Sequence, residues 1–332
     1  MNILITGAAG FLGGRLTKYL AAHEGFSVRA TSRRTHRTEE LQQAGAEFWP
    51  FGATPLTLLM RGVDAVVHCA ALSSPWGRYD AFYQANVALT ERLLVAAQEA
   101  GVQRFVNIST PSLYNDYRDV VGARESDPLP EPINHYAATK RMAELRVQAA
   151  HGAAMKTLSI RPRALIGAED VVIFPRVMRA YDLGRLRIIG SGDNMVDFTA
   201  VHNLCRAIEL ALRAPAEAYG RTYNVTDGQP VPMWSAINTM LTRLGKAPVR
   251  RHLPYSVADA VARLSEWRAR RSRAYTEPAL TRYGVAVLSR SFTLDITAAR
   301  EHLGYRPQQT TDEAITEFVN WYLATARDEY LA

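Results

Sequence analysis

The stretch TGAAGFLGG, at Thr6–Gly14, most constrains the fold of this chain, because it joins an apolar strand pattern to a helical pattern at Phe11–Ala22. Its glycines Gly7, Gly10 and Gly13 are spaced three apart. Glycine permits a tight turn and lets the backbone approach a pyrophosphate, whose charge suits the free N–H groups at the start of a helix. In this context the spacing predicts a dinucleotide-binding turn, and a purely structural turn is the alternative.

The first half of the chain alternates strand and helix patterns. Ala65–Cys69 and Phe105–Ser109 are short apolar runs, as expected for strands that are covered on both faces. Helical patterns cover Phe82–Ala100 and Tyr136–Ala150, and Thr157–Arg161 is a further strand pattern. The alternation predicts an α/β fold in which a doubly wound parallel sheet lies between two layers of helices.

The pattern changes after Arg161, where glycine, proline and arginine become frequent. Helical patterns near 175–183, 201–213 and 233–244 alternate there with strand patterns at 186–189 and 222–225. The predicted domains are a dinucleotide-binding domain over 1–163, to which 200–227 returns, and a smaller α/β substrate lobe over 164–199 and 228–332.

The second strand pattern ends near Ser32, which is followed by Arg33 and Arg34. An acidic residue here would hold the ribose hydroxyls of NAD(H), whereas arginine suits the 2′-phosphate of NADP(H). The missing acid and the paired arginines favour NADP(H), and NAD(H) stays open as a second choice. The alternative is a solvated basic turn in an arginine-rich protein.

Tyr136 precedes Lys140 by four residues in NHYAATKR, so both lie on one face of the predicted helix. Lys140 is one of four lysines among 39 basic residues. A free tyrosine has a pKa of about 10, too high for efficient proton exchange at neutral pH, and a neighbouring ammonium lowers that pKa. We therefore predict that Tyr136 is an acid/base whose pKa Lys140 lowers; a surface Tyr–Lys pair is the alternative.

Small polar residues follow the buried strand patterns. Ser109, Thr110 and Ser112 lie at the end of one strand, where ligands bind in parallel sheets, although turn hydrogen bonding is their alternative role. Small residues within His68–Gly77 follow another strand and leave room for a flat cofactor. The longest loop pattern, Asn115–Asn134, precedes the Tyr136 helix and predicts a functional lid.

The net charge is +7 and the pI about 9.5, and nearly all of the positive charge is arginine. No nucleic-acid-binding motif accompanies this charge, so we expect a solvated basic surface and no nucleic-acid partner. The densest basic cluster, Arg268–Arg273, ends an amphipathic helical pattern at Pro254–Arg270. Its apolar stripe predicts packing within the lobe, and contact with a lipid surface is the alternative. The stripe consists of Val257, Ala260, Val261, Leu264 and Trp267.

Other features favour a cytoplasmic protein without an integral membrane segment. No stretch approaches the roughly 18 apolar residues of a membrane span, and the N-terminus enters a strand pattern instead of a secretion leader. The two cysteines, Cys69 and Cys205, lie in apolar surroundings, as free thiols do in a reducing compartment. No spacing among the eight histidines predicts a metal site.

Several motifs together resemble the extended short-chain dehydrogenase/reductase family, which includes NAD-dependent epimerases and dehydratases. They are TGAAGFLG, HCAA, NVALT from Asn86, IST at 108–110, YAATK, RP at 161–162, VDFTAVHN at 196–203, YNVTDG at 223–228 and LGYRP at 303–307. Three stretches are most similar to the 3β-hydroxysteroid dehydrogenase-like branch, which includes 2-alkyl-3-oxoalkanoate reductases: SSPWGRYDAFYQANV at 73–87, STPS at 109–112 and EPALTRYGVAVLSRSF at 277–292. The resemblance implies a Rossmann domain, a C-terminal substrate lobe and a homodimer formed through the helices at Phe82–Ala100 and Tyr136–Ala150.

The resemblance also implies roles for individual residues. Tyr136 would be the acid/base, Lys140 its helper, Thr110 the second hydroxyl group and Asn86 a brace beneath the nicotinamide. With the patterns above, the predicted cofactor contacts are Gly7, Gly10, Phe11, Leu12, Gly13, Ser32, Arg33, Arg34, Ala70, Ala71, Tyr136, Lys140 and Pro162. The predicted substrate contacts are Ser73, Trp76, Ser112, Arg163 and Phe198, with Arg163 facing the carboxylate of a β-keto acid.

Three functions are compatible with these motifs. The first is an NADP(H)-dependent reductase that interconverts a ketone and a secondary alcohol on a hydrophobic small molecule, either a β-keto acid or a sterol-like compound. The second is a nucleotide-sugar 4-epimerase that retains NAD; Ser32 counts against it, and Pro111 and Ser112 replace the acidic pair of the related dehydratases. The third is a non-enzymatic NADPH-binding sensor, which the Tyr136–Lys140 pair disfavours.

Overall fold

The computed structural model describes residues 1–325 of the chain. The strands in chain order are β1 Asn2–Thr6, β2 Ser27–Ser32, β3 Glu47–Pro50, β4 Ala65–His68, β5 Arg104–Ile108, β6 Val120–Ala123, β7 Lys156–Pro162, β8 Leu165–Ile166, β9 Ile188–Ile189, β10 Met195–Val196, β11 Thr199–Ala200, β12 Thr222–Val225, β13 Val231–Pro232, β14 His252–Leu253 and β15 Phe292–Leu294.

The α-helices are α1 Phe11–Ala21, α2 Thr38–Gln43, α3 Leu56–Leu59, α4 Tyr79–Phe82, α5 Leu89–Glu99, α6 His135–Ala149, α7 Phe174–Asp182, α8 Val201–Arg213, α9 Met233–Arg243, α10 Tyr255–Arg271, α11 Arg282–Ser289, α12 Thr297–His302 and α13 Thr311–Thr325. A π-helical segment, Tyr83–Ala88, joins α4 to α5, and short 3₁₀ turns lie at Pro111–Tyr114 and Ala216–Ala218. No helix in the described range 1–325 is both long enough and apolar enough to cross a bilayer.

A seven-stranded sheet with the order β12-β7-β5-β4-β1-β2-β3 forms the centre of the fold. All of its neighbouring strands pair in parallel. The chain order reverses at β1, which lies between β2 and β4, so a crevice opens beyond the carboxyl ends of β1 and β4. The predicted α/β fold with a doubly wound parallel sheet is confirmed.

Alternate side chains of β1 explain why both faces of the sheet are covered. Ile3 and Ile5 belong to a buried cluster that includes residues of α1 and α8, whereas Leu4 belongs to a cluster on the other face with residues of α5. All three are fully buried. A strand that buries both of its faces needs the continuous apolar run that the sequence shows here.

The predicted lid at Asn115–Asn134 is wrong, because this segment contains strand β6. β6 pairs in parallel with β15, in a small sheet of order β13-β10-β15-β6. Tyr114, Ala123, Phe292 and Leu294 form a buried cluster across this pairing. Residues 120–123 are held by a sheet on their backbone and by this core at Ala123, so this part of the segment is not free to open as a lid.

The two-domain division remains a proposal, which we support with the sheet membership of the strands. β12 returns to the large sheet, and α8 packs beside α1, in agreement with the predicted return of 200–227. β6 lies within 1–163, the sequence range of the proposed dinucleotide-binding domain, but it pairs with β15 of the proposed substrate lobe. In space it therefore belongs to the lobe's small sheet.

Two helices beside the large sheet position the groups described below. The predicted helix at Phe82–Ala100 is present, but it begins at Tyr79, ends at Glu99 and widens to a π-helix at Tyr83–Ala88. The predicted helix at Tyr136–Ala150 is α6, which begins at His135. The side chain of Asn134 caps it by accepting a hydrogen bond from the N–H of Ala137 at 2.8 Å.

Candidate active site

The glycine turn after β1 is closely packed against its neighbours. Gly7 has a φ of +71°, which favours glycine, and a Cβ on it would lie 2.8 Å from the Cα of Ala70. A Cβ on Gly13 would lie 2.3 Å from the carbonyl oxygen of Gly7. The Gly7 and Gly13 positions therefore admit no side chain, and the backbone at the start of α1 is bare for a ligand to approach.

A chain of buried hydrogen bonds joins this turn to the loop after β4. His68 contacts Thr6 through Nδ1 at 2.8 Å and Thr90 through Nε2 at 3.0 Å. Since the Thr90 hydroxyl donates to the Asn86 carbonyl, Nε2 of His68 carries the ring proton and Nδ1 accepts from Thr6. Burial lowers the pKa of His68 to about 3, so the imidazole is neutral at physiological pH. His68 is thus a structural link between the strand ends.

Asn86 lies in the π-helical segment and is buried. Its Oδ1 accepts from the N–H of Leu72 at 2.8 Å, and its Nδ2 donates to the hydroxyl of Thr139 at 3.1 Å. Asn86 therefore ties the loop after β4 to α6, the helix on which Tyr136 and Lys140 lie. These two hydrogen bonds are how Asn86 braces the loop against the helix. That a nicotinamide ring lies above the braced loop remains a proposal.

A cluster of hydroxyl groups surrounds the Tyr136 phenol, which hydrogen-bonds with Thr110 and Ser73. Thr110 is buried and donates to the hydroxyl of Ser112 at 3.1 Å. The Ser112 hydroxyl lies 3.0 Å from the phenol oxygen of Tyr283. The structure thus brings together four predicted site residues and adds Tyr283, which sequence reasoning missed because α11 offered no signal beyond its place in a family-like stretch.

Lys140 lies one helical turn beyond Tyr136, with only 3% of its surface exposed. Its Nζ donates to the carbonyl oxygen of Ile108, at the end of β5, at 2.5 Å. Burial lowers the pKa of Lys140 to about 8, and Glu144 and Cys69 oppose this shift. The side chain keeps a proton at neutral pH and loses it near pH 8.

The predicted effect of Lys140 on Tyr136 is wrong in this structure. Burial raises the pKa of the Tyr136 phenol, and its hydrogen bonds with Thr110 and Ser73 only partly oppose that shift. Lys140 directs its ammonium to the Ile108 carbonyl and is not a cause of the shift. Tyr136 therefore holds its proton at neutral pH and is suited to donate it.

Of the predicted substrate residues, Arg163 lies near the hydroxyl cluster and Phe198 lies away from it, in a hydrophobic core. Arg163 is buried, its guanidinium lies 4.2 Å from the ring centroid of Phe292, and its Nε has no hydrogen-bond partner among residues 1–325. Burial lowers the pKa of Arg163, while Tyr283 and Asp197 oppose this effect, which places Arg163 near the hydroxyl cluster. Phe198 is a correction: only 2% of it is exposed, within the lobe's hydrophobic core, so its role is packing.

Trp76 lies at the edge of the site, half-buried. Its Nε1 donates to the carbonyl oxygen of Tyr275 at 3.0 Å, and the two rings stack with centroids 5.2 Å apart. Trp76 therefore joins the loop after β4 to the segment between α10 and α11.

The remaining predicted cofactor residues lie at the carboxyl ends of four strands, β1, β2, β4 and β7. Ser32 is buried at the end of β2, while Arg33 and Arg34 are exposed and form no salt bridge within residues 1–325. In the glycine turn, Phe11 is buried and Leu12 is half-buried. The others are Gly10 within the turn, Ala70 and Ala71 after β4, and Pro162 at the end of β7.

Arg37 is a further residue near the turn that sequence reasoning missed. Its guanidinium lies 3.5 Å from the carbonyl oxygen of Gly10 and is ion-paired with Glu40 and Glu169. These carboxylates raise the pKa of Arg37 against the effect of burial. Because Glu169 is 132 positions away along the chain, no local pattern distinguished Arg37 from Arg33 and Arg34.

Cavity size does not locate the site. A cavity of about 690 Å³ opens between α6, β7 and β12, and neither Tyr136 nor the glycine turn lines it. Within residues 1–325, no group of three or more His, Cys, Asp or Glu side chains is placed to hold a metal ion. We locate the candidate site instead at the crevice, where the bare glycine turn lies near Tyr136, Thr110 and Lys140.

The residues at the crevice fit a dinucleotide. A side chain at Gly7 would clash with the backbone of Ala70, and one at Gly13 would clash with the backbone of Gly7. The turn is therefore bare, and helix α1 begins directly after it. The first turn of α1 has no acidic residue, and the nearby carboxylates of Glu40 and Glu169 are ion-paired with Arg37.

Comparison with known proteins finds one matching family model and several relatives that are similar over nearly the whole chain. Residues 3–226 match the family model described as NAD dependent epimerase/dehydratase family. The chain is 35% identical over 326 residues to a 2-alkyl-3-oxoalkanoate reductase of Stenotrophomonas maltophilia (strain K279a), covering 95% of this chain and 97% of the relative. It is 36% identical over 324 residues, 95% of each chain, to 4-hydroxy-2-methyl-3-oxo-4-farnesyl-3,4-dihydroquinoline-1-oxide ketoreductase of Stigmatella aurantiaca.

A solved structure of a UDP-glucuronic acid 4-epimerase from Bacillus cereus in complex with NAD has the same fold. The TM-score is 0.76 at 22% sequence identity, and the match covers 98% of this chain and 99% of the other. At this identity the likeness concerns the fold alone.

The close packing at Gly13 predicts different effects for two neighbouring substitutions. Gly13→Ala should lower the free energy of unfolding by about 1–3 kcal/mol and weaken dinucleotide binding, because the new Cβ meets the backbone oxygen of Gly7. Gly14→Ala is the comparison, since its Cβ meets the end of the Arg37 side chain instead of backbone, so its cost is limited to a shift of that side chain and of its ion pairs with Glu40 and Glu169. Chemical denaturation and cofactor titration measure both effects, and equal losses in the two variants would contradict this account.

The buried amine of Lys140 predicts a pH-dependent stability. Its pKa is about 8 in the folded chain against 10.5 for a free lysine, so above pH 8 the unfolded chain binds more protons and stability rises with pH. Relative to Lys140→Met, the wild type should gain about 1.4 kcal/mol of unfolding free energy per pH unit between about pH 8 and 10. Denaturation midpoints at several pH values measure this difference; a constant difference would mean that Lys140 keeps its proton.

Proposed function

Because the chain belongs to the NAD dependent epimerase/dehydratase family, we propose that it is an NADP(H)-dependent reductase that interconverts a ketone and a secondary alcohol on a hydrophobic substrate. The observation that supports this most is the cluster of Tyr136, Thr110 and Ser73 hydroxyls beside the buried Lys140, at the crevice of the sheet. The chain is an NAD(P)-dependent enzyme acting on CH–OH groups, so the alternative of a non-enzymatic sensor no longer stands.

We assign the cofactor to the crevice beyond β1 and β4. The turn at Gly7, Gly10 and Gly13 would hold its pyrophosphate, with the backbone of Phe11 and Leu12 facing the phosphates. Ser32, Arg33 and Arg34 would meet the adenosine ribose and its 2′-phosphate, and Ala70, Ala71 and Pro162 would line the path to the nicotinamide. The chemistry that such a cofactor would supply here is transfer of a hydride to the carbonyl carbon of the substrate.

Tyr136 would provide the proton that completes the reduction. Its hydroxyl proton would pass to the carbonyl oxygen, and the raised pKa of the phenol ensures that the proton is present at neutral pH. Thr110 would donate a hydrogen bond to the same oxygen as negative charge develops on it. Lys140 would donate to the ribose hydroxyls of the cofactor, and Asn86 would keep the loop and the helix in register.

The buried Arg163 supports a β-keto acid as the substrate class. A guanidinium whose Nε has no partner in the described chain offers an unused donor to a carboxylate. The Stenotrophomonas relative is named for a 2-alkyl-3-oxoalkanoate, and the Stigmatella relative for a ketone with a farnesyl chain. Trp76 at the site edge and Ser112 beside Tyr283 would contact the remainder of the substrate.

We also propose that two copies associate through α5 and α6. Val95 and Leu145 are 54% and 53% exposed on these helices, and Arg146 pairs with Glu91 between them at 2.6 Å. An exposed apolar surface on two neighbouring helices suits an isologous four-helix contact. Light scattering should give twice the mass of one chain, and Leu145→Glu should reduce it to that of one chain.

The exposed arginines predict the cofactor preference. Arg33→Ala combined with Arg34→Ala should weaken NADPH binding by about 10–100-fold and leave NADH binding unchanged, because charge-assisted hydrogen bonds reach only the 2′-phosphate. The control is Arg61→Ala with Arg306→Ala, two exposed arginines elsewhere. Fluorescence titration measures all affinities. NAD retained through purification, with no preference for NADPH, would instead support the nucleotide-sugar 4-epimerase alternative.

The substrate assignment predicts that replacing Arg163 changes KM for an acid substrate but not for the ester of that acid. Arg163→Met should raise KM for a 2-alkyl-3-oxo acid by about 10–100-fold and leave KM for its methyl ester unchanged, since only the acid has a carboxylate to bind. Tyr136→Phe should lower kcat for both compounds by about 10²–10⁴-fold and leave NADPH binding unchanged. Equal effects of Arg163→Met on acid and ester would remove Arg163 from the substrate site, and unchanged turnover in Tyr136→Phe would overturn the reductase mechanism.

A further inference from the structure

One face of α10 is apolar and exposed. Val257, Val261, Leu264 and Trp267 are 46%, 48%, 47% and 52% exposed. With Ala260 they form what we call the α10 stripe, which extends along roughly 15 Å of the helix. The stripe was predicted to pack within the lobe, and that prediction is wrong, because the opposite face packs instead through Ala258 and Ala262.

Arginines surround the C-terminal end of the stripe. Arg268, Arg271 and Arg273 are exposed and form no salt bridge within the described part of the chain. The guanidinium of Arg271 lies 4.0 Å from the ring centroid of Trp267, so the charge and the indole ring face the same side. We call these three arginines the basic rim.

The acidic residues of α10 do not cancel this charge. Asp259 pairs with Arg263 at 2.6 Å and with Arg282 of α11 at 3.1 Å. Glu266 accepts from the N–H of Arg282 at 2.8 Å and lies 3.6 Å from Arg270. Both carboxylates are largely buried on the side of α11, so neither of them lies unpaired on the outward face.

We propose that the α10 stripe and the basic rim dock on the surface of a bilayer that contains anionic lipids. An interfacial helix needs an apolar face to enter the acyl boundary and cations to meet the headgroups, and tryptophan suits the level between them. The helix is held to the protein by its alanine face, so the stripe can enter the interface without any part of the fold opening.

The docking face is continuous with the edge of the candidate site. Arg270 lies 5.8 Å from the ring centroid of Trp76, and Arg78 donates to the carbonyl oxygen of Arg273 at 3.3 Å. If the proposed reductase function holds, a hydrophobic substrate dissolved in the bilayer would meet Trp76 without crossing water. The docking itself does not depend on that function.

Vesicle sedimentation of the full chain tests the proposal without an activity readout. Vesicles of phosphatidylcholine with about a third phosphatidylglycerol should bind the protein, and pure phosphatidylcholine should bind it at least about tenfold more weakly. Leu264→Ser with Trp267→Ser, and separately Arg268→Gln with Arg271→Gln and Arg273→Gln, should each weaken binding about tenfold or more. All these residues are exposed, and melting temperature and NADPH binding confirm that the variants fold.

The matched control replaces three exposed arginines elsewhere, Arg61, Arg221 and Arg306, with Gln. It should bind vesicles as the wild type does, and a loss equal to that of the basic-rim variant would overturn the proposal in favour of non-specific attraction by the net charge. Unchanged binding after Leu264→Ser and Trp267→Ser would also overturn it. If light scattering shows that the same pair of changes dissociates an oligomer that does not bind vesicles, a second copy covers the stripe and the proposal is wrong.

Discussion

The candidate site depends on the buried amide of Asn86. This single side chain accepts from Leu72 at 2.8 Å and donates to Thr139 at 3.1 Å, and Thr139 lies between Tyr136 and Lys140 on α6. A buried amide that lost a partner would cost about 1–3 kcal/mol, so the loop after β4 and the helix are held at a fixed separation. The π-helical segment that places Asn86 is of a kind that recurs at functional sites. Through Thr90 and His68 the same connection reaches the end of β1, where the glycine turn begins.

Burial determines the protonation of the groups at this site. It keeps the Tyr136 phenol protonated, brings the pKa of Lys140 close to physiological pH and leaves the Nε of Arg163 without a hydrogen-bond partner in the described chain. The buried groups that face the crevice are therefore proton donors and cations, while the carboxylate of Glu144 is engaged by Arg161. Such an environment favours a ligand that gains or already has negative charge on oxygen. A carbonyl under reduction, a carboxylate and a phosphate all meet this condition.

The sequence was sufficient for the features that depend on local periodicity. The glycine turn, the parallel sheet, α8 at 201–213 and the helix of Tyr136 and Lys140 all follow from patterns within about twenty residues. Sequence patterns failed where contacts between segments that are distant along the chain determine which residues are buried or lie at the site. The apolar stripe of α10 was correctly recognised as a stripe, but only the position of α11 shows that the alanine face is the buried one. Phe198 lies beside polar family-like residues in sequence and within the lobe core in space. Tyr283 and Arg37 approach the site from elements whose spacing along the chain gives no sign of it, and the pKa of Tyr136 depends on burial that no motif encodes.

The pairing of β6 with β15 limits how this architecture can be recombined. Natural and engineered chimeras often exchange one lobe of a two-lobed enzyme for that of a relative in order to change what it acts on. Here a transplanted C-terminal lobe would arrive without its edge strand, because residues 120–123 are encoded within the first half of the chain. The grafted sheet would either expose the open edge of β15 or pair with a β6 whose side chains had been selected for another partner. The unit to be exchanged is therefore discontinuous in sequence, and an exchange that keeps the small sheet intact must move β6 together with the C-terminal region.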